Sequence, residues 1–110
     1  MATAQSQGKV LNVGQTDFDQ IVLKSDVPVL ADFYADWCGP CRALAPVLAQ
    51  LAREVPDAKV VKVNVDDNPD LAIRYRINAI PALMAFEDGQ VTDKQAGMAG
   101  LPRLKSMLGR

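Results

Sequence analysis

Apolar positions along the chain follow two rhythms. Val29-Leu-Ala-Asp-Phe-Tyr34 is an apolar run short enough to be a buried strand, and Lys59-Val-Val-Lys-Val-Asn-Val65 is β-branched and strand-like. Between them the rhythm changes: Leu44, Val47, Leu48, Leu51 and Val55 fall at i, i+3, i+4, i+7 and i+11, the stripe of a helix with one buried side. Pro46 inside that stripe predicts a kink rather than a break, and Pro56-Asp57 stops the helix. Upstream, Lys9-Val-Leu-Asn-Val13 reads as a short strand closed by Gly14. Thr16 then offers a helix N-cap with Asp19 three residues on, and Phe18, Ile21 and Val22 have helical spacing. Downstream, Asp66 to Pro69 is a turn that caps a short helix through Tyr75. Ala82 to Phe86, Asp88-Gly89 and Val91 to Ala96 read as a hairpin, and Gly100 and Pro102 open a last helix with Leu101, Leu104 and Leu108 on one side.

The predicted order is β-α-β-α-β-α-β-β-α. Strands separated by helices pair in parallel under helices on both faces, and the closing hairpin adds antiparallel strands. The fold class is therefore α/β with a mixed five-stranded sheet. No repeat, linker or low-complexity tract interrupts it, so residues 9–110 read as one domain behind a loose polar tail at 1–8.

Composition narrows the chemistry. In 110 residues, 49% are apolar and 23% charged, the usage of an ordinary globular chain. Twelve Lys plus Arg against thirteen Asp plus Glu leave a net charge of −1, which speaks against nucleic acid and anionic membrane as partners. With no histidine, His-based catalysis and His-ligated metals are excluded within the chain. Two cysteines exclude a multi-disulfide scaffold. The first nine residues lack the apolar core of a signal peptide, and no apolar run approaches the ~20 residues of a membrane span. These features predict a soluble domain of a reducing compartment, the cytoplasm.

Cys38-Gly-Pro-Cys41 lies where strand pattern gives way to helix pattern. At helical i, i+3 spacing the two Cα atoms stand about 5 Å apart, inside the ~4.4–6.8 Å range of a disulfide. Cys38, at the helix start, faces unpaired N–H groups and the positive end of the dipole, which favour its thiolate. Cys41, one turn inside, is expected to be the more buried thiol. Gly39 admits a close approach by another chain, and Pro40 suits an early helical position. Three inert alternatives compete. A structural disulfide closing so short a loop contributes only ~2 kcal/mol. Half a metal site lacks two ligands, since a structural zinc wants four. Two inert core thiols fit poorly with a loop containing Trp37. Thiol–disulfide exchange is the favoured reading, with no metal and no cofactor beyond the cysteine pair.

Two more positions stand out. Asp32 interrupts an apolar strand; burial there favours its protonated form and raises its pKa, as suits a group exchanging a proton near neutrality. The inert alternative pairs it with Lys62 on the neighbouring strand. Pro81 opens a strand, where a missing N–H is tolerated, and its isomer is not readable from sequence.

At these residues the chain resembles the thioredoxin family. The resemblance rests on Ala31-Asp-Phe-Tyr-Ala-Asp-Trp-Cys-Gly-Pro-Cys-Arg42, Ala45-Pro46, Lys62-Val-Asn-Val-Asp66, Asn68-Pro69, Ile80-Pro81 and Gly97, in order from roughly Val10 to Leu108. It implies the thioredoxin fold, a central sheet of order β1-β3-β2-β4-β5 flanked by four helices, and a monomeric protein-disulfide reductase. It further implies that Cys38 attacks the target disulfide, Cys41 resolves the mixed disulfide, and Asp32 accepts the proton of Cys41 with help from Lys62. Pro81 is then cis and faces the cysteines, offering an edge on which substrate lies as an added strand, with Trp37, Gly39, Pro40, Ile80, Gly97 and Met98 completing an apolar rim. The implied partners are a thioredoxin reductase and diverse disulfide-containing proteins. Four departures flank the docking edge and bear on partner preference: Ala79 for a usual Gly, Ala82 for Thr, Tyr34 for Trp and Ala96 for Val. Two functions of different class remain: a reductant of protein disulfides, or a binding module using the same rim with its redox state as a switch. An oxidase or isomerase would need a more oxidising couple.

Overall fold

The strand-forming runs assemble into one five-stranded sheet of order β1-β3-β2-β4-β5 in the computed structural model, which describes residues 8–110. The expected loose tail lies, apart from Gly8, outside the described residues. The strands are β1 (Val10–Asn12), β2 (Val29–Tyr34), β3 (Lys59–Asn64), β4 (Ala82–Glu87) and β5 (Gln90–Ala96). β1 and β2 flank β3 in parallel, while β4 runs antiparallel to β2 and β5 antiparallel to β4. Each parallel crossover carries a helical element, as the topology requires. The hairpin turns through Asp88 (φ 53°) and Gly89 (φ 78°), two left-handed residues that match the twist of the paired strands.

Both sheet faces are covered, which is why β2 and β3 read as nearly continuous apolar runs. On one face Leu30, Val60, Leu83 and Ala85 pack under helix α1 (Gly39–Glu54), through Leu44, Leu48 and Leu51, and helix α3 (Leu101–Met107), through Leu104. On the other, Ala31, Phe33, Val61, Val63, Met84 and Phe86 pack against Phe18, Val22 and, from helix α2 (Pro69–Arg74), Leu71. Tyr75 joins this second layer, with ring centroids 5.5 Å from both Phe18 and Phe86. α1 runs unbroken through Pro46, which lies on its exposed side.

The expected helix after Thr16 needs correction. Asp19–Leu23 is a π-helical segment entered at Phe18 with no side-chain cap. The Lys24 N–H donates five residues back to the Asp19 carbonyl at 2.9 Å. Thr16 does not cap it; Asp17 Oδ1 instead accepts from the Gly14 N–H at 2.8 Å. Lys59 Nζ donates to the Ile21 carbonyl at 2.9 Å, taking a backbone acceptor within the segment. The expected apolar side survives: Phe18 and Val22 are buried and Ile21 half-buried.

Candidate active site

β2 ends at Tyr34, and five residues later α1 begins, so the β2–α1 junction lies at the C-terminal edge of the parallel strands. Cys38 is the N-cap of α1 in extended conformation (φ −87°, ψ 111°), and Pro40 occupies the first turn. The Cys38 Sγ accepts the Cys41 N–H at 3.2 Å, so one orphan donor of the helix start points at this sulfur. Cys38 and Cys41 form a disulfide with Cα atoms 5.2 Å apart, as the spacing predicted. Cys41 is the more shielded, but by little: the residues are 3% and 5% exposed. Both pack with Ala35 in a small cluster that Tyr34, Val65 and Ile80 adjoin.

Asp32 sits two residues before Tyr34 on β2 and is completely buried, with no hydrogen-bond partner for either carboxylate oxygen. Burial pushes its pKa from 3.8 up to about 7, against the opposing pull of the Lys62 charge. Lys62 is its Cα partner on β3. The expected pairing is nevertheless not a hydrogen-bonded ion pair: the Lys62 ammonium lies over the Tyr34 ring, 4.2 Å from its centroid. Cys41, Lys62 and Tyr34 line one pocket of about 310 Å³, together with Ala35 and Arg42.

The residues expected to form the apolar rim fall into separate groups. Trp37, 68% exposed, donates its indole N–H to Asp66 Oδ2 at 2.9 Å, and with Ile80 lines an apolar groove of about 350 Å³. The Ile80–Pro81 peptide is cis. The Gly97 N–H donates to the Pro81 carbonyl at 2.7 Å, and Gly97 adopts a left-handed φ of 87° that favours glycine. Met98 follows, 46% exposed, while Gly39 and Pro40 are exposed at the start of α1. None of these last four lines the groove that Trp37 and Ile80 share.

Three contributors escaped sequence reasoning. Ile73, at 74% exposure, forms part of that groove although its position on a short helix suggested nothing of the kind. Asp66 holds the indole, whereas the sequence marks it only as part of a turn and of the Lys62-Val-Asn-Val-Asp66 run. Tyr34, a departure from the family pattern, is the seat of Lys62, which no local pattern announces. Among the described residues no group of three or more His, Cys, Asp or Glu side chains could hold a metal ion.

Comparison with known proteins agrees with this geometry. The thioredoxin family model matches residues 9–110. Thioredoxin 1 of Synechococcus elongatus is 52% identical over 86 residues, covering 77% of this chain and 80% of that one. The thioredoxin of Pseudomonas aeruginosa is 43% identical over 100 residues, or 90% and 93% of the two chains. A solved thioredoxin mutant from Halobacterium salinarum superposes with a TM-score of 0.85 at 42% identity, covering 94% of this chain and 90% of its own. With its cysteine pair joined at a helix start, the chain belongs to the thioredoxin family of thiol–disulfide oxidoreductases.

Proposed function

We propose that this chain reduces protein disulfides in two exchanges through Cys38 and Cys41. In the dithiol form the Cys38 thiolate attacks one sulfur of a target disulfide. A Cys38–target disulfide forms, and the other target sulfur leaves as a thiolate. The Cys41 thiol then gives its proton to the Asp32 carboxylate. Its sulfur keeps the electron pair and attacks Cys38, releasing the second target thiolate and restoring the Cys38–Cys41 disulfide. Two electrons from a thioredoxin reductase, with two protons from solvent, return the pair to dithiol. The observation that carries this reading is the disulfide itself, placed where the Cys41 N–H reaches the Cys38 sulfur. Such a donor stabilises negative charge developing on Cys38 as attacker or leaving group.

In this proposal Asp32 is the proton acceptor and Lys62 the charge that eases its ionisation. Trp37, Gly39, Pro40, Ile80, Pro81, Gly97 and Met98 receive the target, whose identity varies. The protein acts as a monomeric domain, residues 9–110, in the cytoplasm, with no resident cofactor and neither nucleic acid nor membrane as partner. Among the described residues no helix is long and apolar enough to cross a membrane.

Trapping tests the assignment. Cys38→Ser abolishes reduction of a model protein disulfide, whereas Cys41→Ser attacks once and accumulates a mixed disulfide on Cys38, identified by mass spectrometry. Normal turnover by Cys41→Ser, or an adduct carried on Cys41 in the parent protein, overturns the roles. Undiminished function of both serine variants would make the chain a binding module instead.

A further inference from the structure

Asp32 and Tyr34 lie two residues apart on β2 and so share a sheet face, where Lys62 from β3 stands opposite Asp32 in register. One ammonium thus has two possible seats, a carboxylate and a ring. It takes the ring, at 4.2 Å, and leaves both carboxylate oxygens without a hydrogen bond. Other neighbours of Asp32 offer no substitute partner. Its register partner on β4 is Leu83, which is apolar. The pocket that Lys62 and Tyr34 line also holds, from α1, Cys41, a thiol when reduced, and Arg42, whose guanidinium is exposed and bound to the Asp36 carbonyl at 2.8 Å. Lys62 is therefore the cation whose position decides how well an ionised Asp32 is compensated.

We propose that Tyr34 is a positioning residue that holds the Lys62 ammonium away from Asp32, and so sets how readily this carboxyl takes the proton of Cys41. The inference rests on the proposed role of Asp32 as proton acceptor. A cation over a ring face is attracted by the ring quadrupole, and the attraction strengthens where water is thin. The ionised carboxylate must compete with that attraction for Lys62. Weakening the ring releases the lysine to the carboxylate and makes Asp32 more acidic; a stronger ring face does the reverse. In the resolving step the S–H bond of Cys41 breaks as an O–H bond forms on Asp32, and the electron pair stays on sulfur. The pH at which this step reaches half its rate follows the Asp32 midpoint.

The test is direct titration of Asp32 by carbon-13 NMR of its labelled carboxyl in the oxidised protein, a readout independent of activity. Tyr34→Leu is expected to lower the midpoint by about half a pH unit or more, Tyr34→Phe to leave it in place, and Tyr34→Trp to raise it. The same Tyr34→Leu change made on a Lys62→Met background is expected to have no effect. An unmoved midpoint in Tyr34→Leu, or an equal shift without the lysine, overturns the proposal, because water entry rather than the ammonium would then be responsible. Failure of the underlying reading looks different: Asp32→Asn would resolve mixed disulfides at the parent rate, which overturns the link to Cys41 whatever the titration gives.

Discussion

Asp32 and Lys59 are both charged residues buried in the paired strands β2 and β3, and the fold treats them in opposite ways. Lys59 opens β3 on the face that covers the π-helical segment, and its ammonium donates to the Ile21 carbonyl. Asp32 lies about 10 Å further along the pair, toward the cysteines and on the other face, with neither oxygen bonded. One group has its hydrogen-bonding need met and ties an element down. The other is left in want, at the position proposed to exchange a proton. A buried carboxyl without partners costs stability when ionised, and natural proteins tolerate that cost where function draws on it.

Removing Asp32 should produce the largest change. Asp32→Ala is expected to slow resolution of the mixed disulfide by about a hundredfold near neutral pH, the scale of a lost general base. It should also stabilise the fold in alkali. The carboxyl is held at about 7, above its usual 3.8, so the folded state keeps the proton more tightly than the unfolded state does. The stability linked to that proton is complete below about pH 4 and is lost as pH rises through about 7. The step from 3.8 to about 7 corresponds to roughly 4 kcal/mol, and the small cavity left by alanine subtracts about 1. Denaturant midpoints from pH 4 to pH 9 check this: the variant gains on the parent up to pH 7 and keeps the gain above it. A loss of equal size at every pH would make Asp32 a satisfied structural residue like Lys59.

Next in size is the other half of the comparison. Lys59→Met is expected to cost about 1–3 kcal/mol at pH 7, because the Ile21 carbonyl loses its buried donor. Burial holds the Lys59 ammonium below its usual 10.5, against the pull of Asp26, so its protonated form is disfavoured in the fold. Stability linked to this lysine is present above 10.5 and is lost as pH falls through the lowered value, and the methionine variant should lack that alkaline gain. Rates of disulfide reduction should match the parent. A slower reductant would mean that the two buried charges are coupled across the sheet.

The same contrast separates what sequence could reveal from what it could not. Asp32 was legible because a single acid in Val29-Leu-Ala-Asp-Phe-Tyr34 breaks an apolar run that both faces must bury. The stripe of α1 and the Cys-Gly-Pro-Cys spacing were equally local signals, and the order of strands came through family resemblance. Lys59 gave no such sign, since its partner carbonyl lies 38 residues away. For that reason Asp19–Leu23 read as an ordinary capped helix: nothing near Thr16 announces that a lysine from β3 will take a carbonyl inside the segment. The seat of Lys62 was hidden for a related cause. Register with Asp32 follows from the sheet, but the choice between carboxylate and ring is made by side-chain packing that no local pattern encodes.

The smallest effect should come from the exposed tie on the same π-helical segment. Arg74 on α2 reaches Asp19 at 3.2 Å, but the two side chains are 47% and 65% exposed. Water screens such a pair, and holding two long side chains in one geometry costs entropy, so Arg74→Ala is expected to cost about 0.5 kcal/mol or less. The guanidinium also lies 5.3 Å from the ring of the half-buried Tyr75. Hydrogen exchange at the Lys24 amide, which donates to the Asp19 carbonyl, reports local opening of the segment in both variants. Arg74→Ala should barely hasten exchange, and any difference should vanish in molar salt. Lys59→Met should hasten it more and keep doing so in salt, because its bond is partly buried. If the arginine variant opened the segment as much as the lysine variant, burial would not be what distinguishes a structural charge here, and the contrast with Asp32 would have to rest on hydrogen bonding alone.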